Sequence, residues 1–166
     1  MLRPVLFYLA IGIMSLLPAA ELTVATFNVR LATRGDQGTR NWNARKDLVV
    51  ETIRKMSPDL LGVQEALPQQ MDYLSEGLPG YERFGVGRDD GKNRGEYSAL
   101  FIRSERLERD PEEGGTFWLS ATPGEAGSKT WGNQVTRICT WARLVDRKNG
   151  KGFYFCLLYT SPSPRD

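Results

Sequence analysis

Two apolar runs constrain this chain more than anything else in it, because each reads as a strand and each finishes on a side chain suited to metal or phosphate chemistry. The first, Val24-Ala25-Thr26-Phe27-Asn28-Val29-Arg30, carries Asn28 near its end; the second, Leu60-Leu61-Gly62-Val63-Gln64-Glu65, closes on Glu65. The second, a continuous short apolar run, is what a buried strand requires. If the two strands are neighbours, an amide and a carboxylate reach one cleft at the rim of the sheet.

The punctuation between these runs predicts the surrounding elements. Residues 21–30 alternate and are rich in β-formers, which predicts a strand with Asn28 at its far end. A polar, glycine-containing loop follows. Over residues 42–56, Val49, Ile53 and Met56 recur at helical spacing, with Asn43 as the expected cap and Ser57-Pro58 as the stop. Residues 60–64 read as a buried strand, and Pro68 opens a second helix with Leu67, Met71, Leu74 and Leu78 on one face, ended by Pro79-Gly80. Short strands are then predicted over residues 81–86, 98–103, 115–119, 137–145 and 152–155, separated by turn chemistry. Trp118, Trp131 and Trp141 are expected to pack in the interior. The chain shows no internal repeat, and the expected class is α+β: two sheets face to face with helices outside.

Composition sets the domain organisation. The full sequence of 166 residues has room for one domain with a sizeable core. Residues 1–20 read as a secretory signal peptide: Arg3 supplies a positive start, residues 5–17 are nearly unbroken apolar, and Ala19-Ala20 offers small residues for cleavage. The apolar run is short for a membrane span, so no transmembrane segment is expected beyond it, and export to the periplasm or the outside is the expected localisation. Of 22 basic and 20 acidic residues, Arg3, Arg165 and Asp166 fall in the first twenty or last eleven positions. The body is therefore close to neutral and carries no strong nucleic-acid-binding signature, since such binding rests on a basic surface. Cys139 and Cys156 are too few for a disulfide framework and are not spaced as a zinc site. A monomer is expected.

The candidate chemistry follows from what a hard cation accepts. Magnesium keeps several waters and takes one or two carboxylates plus substrate phosphate, so one glutamate at a strand end can anchor it. Glu65 is the expected principal ligand for Mg²⁺, with Mn²⁺ as the alternative. Asn28, neutral and able to donate and accept, can orient a phosphate oxygen or join the metal site without adding negative charge. Taken singly, each is also an ordinary strand-end or turn residue. Arg88, in Gly87-Arg88-Asp89-Asp90-Gly91, is a candidate for a substrate phosphate, because guanidinium pairs well with such oxygens. Tyr97 is a candidate wall of the same cleft. Residues 124–130 do not form a phosphate-binding loop: Pro123 and Ser128 stand where its glycines are required.

Several separate stretches agree, in order, with one family. Thr26-Phe27-Asn28-Val29-Arg30, Asn41-Trp42 with Arg45-Lys46, and Asp59-Leu60-Leu61-Gly62-Val63-Gln64-Glu65 are joined by Leu78-Pro79-Gly80-Tyr81, the segment 85–91, Gly95-Glu96-Tyr97-Ser98 and the segment 115–120. Over residues 22–155 the chain resembles the endonuclease/exonuclease/phosphatase superfamily, the DNase-I-like hydrolases. That resemblance implies a four-layer α/β-sandwich, a divalent metal cofactor and hydrolysis of a phosphoester, with Asn28 and Glu65 in the site. Substrates in such proteins range over nucleic acids, lipid head groups and phosphorylated small molecules, and the resemblance does not choose among them. A non-catalytic, exported binding protein on the same sandwich is the alternative.

The resemblance also implies parts that do not follow here. Its members finish with an Asn-Thr-His-type strand, an Asp with a nearby Asn, and a late Asp-His pair, whereas this sequence contains no histidine. After Phe155 it reads Cys156-Leu157-Leu158-Tyr159-Thr160-Ser161-Pro162-Ser163-Pro164-Arg165-Asp166, which resembles a translated sequencing-library adapter. The expected organisation is thus a signal peptide over 1–20, the N-terminal part of the hydrolase domain over 21–155, its C-terminal portion missing, and a non-native tail over 156–166. Such a fragment is expected to be inactive.

Overall fold

The structure, a computed structural model, describes residues 21–159. The expected signal peptide and most of the tail lie outside the described residues. Strand β1 (Val24–Asn28) runs parallel to β2 (Leu60–Ala66), with Asn28 opposite Gln64. A parallel pair needs a crossover, and helix α1 (Trp42–Met56) supplies it. Its cap is Asn41 rather than the expected Asn43: the Asn41 side chain accepts the Asn43 amide at 2.9 Å, leaving Asn43 inside the first turn. Ser57, in the left-handed region at φ 47°, ends the helix.

Helix α2 (Pro68–Gly77) leads into β3 (Tyr81–Phe84) and β4 (Tyr97–Arg103), which complete a first sheet in the order β1-β2-β4-β3. The second sheet is β5 (Leu107–Trp118), β6 (Ile138–Asp146) and β7 (Gly152–Leu158), all antiparallel. Strand β5 is much longer than the expected segment 115–119. Asp110-Pro111 and Gly114 read as turn chemistry, but they form a wide irregularity between Arg109 and Gly114 on an edge strand, where a proline costs no ladder bond. Arg143 ties it down through Asp110 Oδ2 at 2.9 Å. Strand β7 runs three residues past the expected end at Phe155.

Alternation sorts the side chains into two cores. Leu60, Leu100 and Ile102 from the first sheet meet Leu107, Ala142, Leu144 and Leu157 from the second, forming the layer between the sheets. On the other face, Leu61, Val63, Ala66, Ala99 and Phe101 pack against Val49, Val50 and Ile53 of α1 and Met71 and Leu74 of α2. Helices, sheet and sheet are thus stacked as the α+β sandwich requires. Trp118 is buried and Trp141 half-buried, whereas Trp131 is 67% exposed. The expectation that Trp131 packs inside fails because it sits in the long β5–β6 loop, not on a strand face. Among the described residues no helix is long and apolar enough to cross a membrane.

Candidate functional site

The site begins with a break in alternation at the end of β2. Leu61 and Val63 face the helices, so regular pairing would send Glu65 into that apolar core. Instead Gln64 pairs with Ser98 and Ala66 with Tyr97, a bulge that fits two residues against one. Glu65 takes the left-handed backbone region at φ 63°, Ala66 fills the core position, and the Glu65 carboxylate turns out at the rim. Glycine, which has no Cβ, would adopt that backbone easily; glutamate holds it at a cost on the order of 1–2 kcal/mol.

The carboxylate is gripped on both oxygens. Asn28 Nδ2 donates to Oε1 at 2.7 Å, the Tyr159 hydroxyl donates to Oε1 at 2.7 Å, and the Leu31 amide reaches Oε2 at 3.3 Å. Burial pushes the Glu65 pKa up, but these hydrogen bonds and the nearby Arg30 outweigh it and hold it below the usual carboxylate value. Glu65 is therefore ionised at neutral pH. Asn28 Oδ1 is taken up by the Arg30 amide at 2.8 Å, so its donor nitrogen is turned to Glu65 and to the Tyr159 hydroxyl, at 3.0 Å.

The loop after β1 is held by side chains from both helices. Gln70, fully buried on α2, accepts from the Ala32 amide at 2.9 Å and the Leu67 amide at 3.1 Å, and donates to the Arg30 carbonyl at 3.0 Å. Arg45 on α1 donates to the carbonyls of Val29, Arg30 and Arg40 while its guanidinium lies over the Trp42 ring. Arg30, itself at φ 54°, makes a two-pronged pair with buried Asp36. The Asn41-Trp42 and Arg45 stretch is thus the clamp on the loop that carries the Leu31 amide to Glu65.

A cleft of about 250 Å³ opens beside Glu65, lined also by Leu31, Arg88, Glu96, Val135, Arg137 and Tyr159. An adjoining pocket reaches Tyr97, Ser98 and Thr136. Arg88 donates to Glu96 Oε1 at 2.6 Å, and its Nε is buried with no hydrogen-bond partner. Its loop is locked in place: Trp118 Nε1 donates to the Arg88 carbonyl at 2.6 Å, and a Cβ on Gly95, at φ 83°, would stand 2.5 Å from the Asp89 carboxylate carbon. Tyr97 lies at the floor, its ring buried against the helix-side core and its hydroxyl spent on the Lys92 carbonyl at 3.1 Å. The structure thus brings Glu65 and Arg88 to one cleft, with Tyr97 beneath and Asn28 behind, bonded to the Glu65 carboxylate. Glu96 and Arg137 were not singled out from sequence, because an isolated charged residue carries no spacing that marks a pocket, and Tyr159 falls in the segment 156–166 expected to be a non-native tail.

A hard divalent cation fits these donors. An ionised carboxylate at the rim with no thiolate or imidazole near it suits magnesium or manganese rather than zinc. Among the described residues no three His, Cys, Asp or Glu side chains converge, so the remaining positions would fall to water and substrate oxygens.

The model of the endonuclease/exonuclease/phosphatase family matches residues 25–161. The chain belongs to that family. The family sandwich recurs in solved structures of an endonuclease/exonuclease/phosphatase from Bacteroides vulgatus (41% identity, TM-score 0.77, 81% of this chain and 51% of that one) and of a mannosyl-6-phosphatase from Bacteroides thetaiotaomicron (38% identity, TM-score 0.76, 82% and 50%). A functionally unknown conserved protein from Enterococcus faecalis is similar at 27% identity and TM-score 0.74, over 81% and 51%. The chain spans about half the length of these three proteins. Among curated proteins no match is found.

Proposed function

We propose that this chain is the N-terminal part of an exported, divalent-metal-dependent phosphoester hydrolase. The observation that carries the reading is Glu65: an ionised carboxylate, turned out of the sheet by a strained bulge and steadied on both oxygens, at the mouth of a cleft that also holds Arg88. Strain of this kind persists where surrounding structure enforces it, and it clusters at sites. Membership of the family and likeness to a mannosyl-6-phosphatase support the same chemistry.

In this reading Glu65 is the protein's anchor for Mg²⁺ or Mn²⁺, and Asn28 fixes the carboxylate through its amide nitrogen, which donates to Glu65 and to the Tyr159 hydroxyl. When bound, the cation supplies Lewis-acid polarisation of the phosphoryl group and stabilises the leaving oxygen. Arg88, in the cleft wall, offers the charge of its guanidinium to the substrate phosphate. Leu31 and Val135 narrow the cleft, and Tyr97 closes its floor. Activation of water calls for a general base, which the family resemblance assigns to histidine, and the sequence holds none. The 166-residue chain is therefore expected to be inactive by itself.

The test is a panel of phosphomonoesters and phosphodiesters given to the full-length parent protein with Mg²⁺, Mn²⁺ or chelator. Metal-dependent release of phosphate or alcohol is expected. No turnover of any phosphoester, or turnover indifferent to chelation, sinks the proposal. Hydrolysis by the purified 166-residue chain would refute its expected inactivity.

A further inference from the structure

We propose that Glu96 is a specificity-determining residue: its carboxylate, held by Arg88 in the wall of the cleft, accepts hydrogen bonds from substrate hydroxyl groups and so selects a polyhydroxylated phosphate ester, of the sugar phosphate type, over one whose alcohol carries no hydroxyl. This deepens the phosphoester hydrolase reading and rests on it.

Glu96 lines the same cleft as Glu65, and its side chain is only 17% exposed. A second carboxylate there is unfavourable for a phosphate substrate, because it adds like charge where a dianion must enter. Arg88 Nη2, at 2.6 Å, offsets that charge but occupies only Oε1. An ionised carboxylate has about four acceptor positions, so most of its capacity remains for a ligand. It has no donor to give, so it cannot bind the phosphate oxygens. The groups that it can bind are donors, and hydroxyls are the uncharged donors that a phosphate ester carries beyond its phosphate.

The geometry separates the two ends of such a substrate. Asn28 and Glu65 stand at the ends of β1 and β2, while Glu96 precedes β4, the strand on the other side of β2. A phosphate held between Glu65 and Arg88 therefore leaves its alcohol portion facing Glu96 on the β4 side of the cleft. Burial and the like charge of Glu65 both push the Glu96 carboxyl upward, although Arg88 and Arg137 oppose them. A merely structural ion pair is already provided with a substitute, since the Arg88 amide bonds the Glu96 carbonyl at 3.1 Å and ties the two strands of the loop without the side chains.

The experiment compares a hexose 6-phosphate, its single-deoxy analogues and phenyl phosphate as substrates of the full-length protein with Mg²⁺. The unaltered protein should prefer the hexose phosphate, and at least one deoxy analogue should lose about tenfold in kcat/KM, the value of one hydrogen bond to a charged acceptor. In Glu96→Gln that loss, measured against the same variant's turnover of the hexose phosphate, should shrink to less than about threefold. Glu96→Asp, which keeps the charge but withdraws the acceptor by one methylene, gives the same comparison if Glu96→Gln does not fold. Equal use of all deoxy analogues, or a penalty that survives both substitutions, overturns the assignment. Turnover of phenyl phosphate with no preference for the hexose phosphate overturns it while leaving the hydrolase reading intact, whereas no turnover of any ester removes both.

Discussion

Asn28 Nδ2 lies 2.7 Å from Glu65 Oε1, joining the ends of two adjacent parallel strands whose regular register pairs Asn28 with Gln64 instead. The contact exists because the bulge at Glu65 swings its carboxylate back toward β1. Amide and carboxylate therefore act as one unit, with the amide oxygen fixed in turn by the Arg30 N–H. Asn28→Ala should leave the fold in place and weaken Mg²⁺ affinity of the full-length protein by roughly 10–100-fold, the usual cost of losing a group that orients a metal ligand. Metal titration monitored by calorimetry checks this, and unchanged affinity would remove Asn28 from the site.

Glu65→Gln should abolish metal-dependent turnover, by more than about 100-fold, because it removes the charge that anchors the cation. The glutamine keeps an acceptor for the Leu31 amide, so the melting temperature should stay within about 5 °C of the unaltered protein. Retained turnover would exclude Glu65 as the anchor.

Gln70 and Arg45 hold the loop after β1 from opposite helices, and neither touches the cleft. Gln70→Leu strands the Ala32 and Leu67 amides and leaves the Arg30 carbonyl to Arg45 alone, and it should cost roughly 2–4 kcal/mol of unfolding free energy in denaturant titration. Arg45→Lys should not rescue its site, since a single ammonium cannot serve three carbonyls that the guanidinium fork spans. A lysine variant with unaltered stability would show that the fork is dispensable.

The Arg30–Asp36 pair predicts an acid-sensitive loop. The hydrogen bond and charge of Arg30 hold the Asp36 carboxyl below its ordinary 3.8, against the opposing effect of burial. A depressed folded pKa means that the unfolded chain binds more protons in that range, so stability from Asp36 is present above pH ~4 and is lost as pH falls through the folded value. Melting temperature measured from pH 2 to pH 6 should fall on the acid side, and Asp36→Asn should flatten that limb. An identical acid limb in the variant would deny the pair a role.

Much of this architecture was legible in the residues themselves. Helix α1 occupies the span expected from Val49, Ile53 and Met56, and β1 and β2 lie where their apolar runs placed them. Less legible was β5, since Asp110-Pro111 signals a turn in any local reading and only its place on a sheet edge lets the strand continue through it. Trp131 was misread for the complementary reason: aromatic residues usually pack, but a loop tip gave this one nothing to pack against.

The sequence by itself determined which residues form strands and helices, the two-faced patterning that makes a sandwich, and the presence of Asn28 and Glu65 at strand ends. Those are local matters of period, propensity and capping. Only the tertiary structure decided that Glu65 leaves the core through a left-handed bulge, that Gln70 and Arg45 fix the loop reaching its second oxygen, and that Arg88 and Glu96 face it across a cleft. Each depends on contacts between segments distant in the chain, such as the 37-residue separation of Asn28 and Glu65. Pairing register and the close approach of packed layers, rather than any local preference, set those distances.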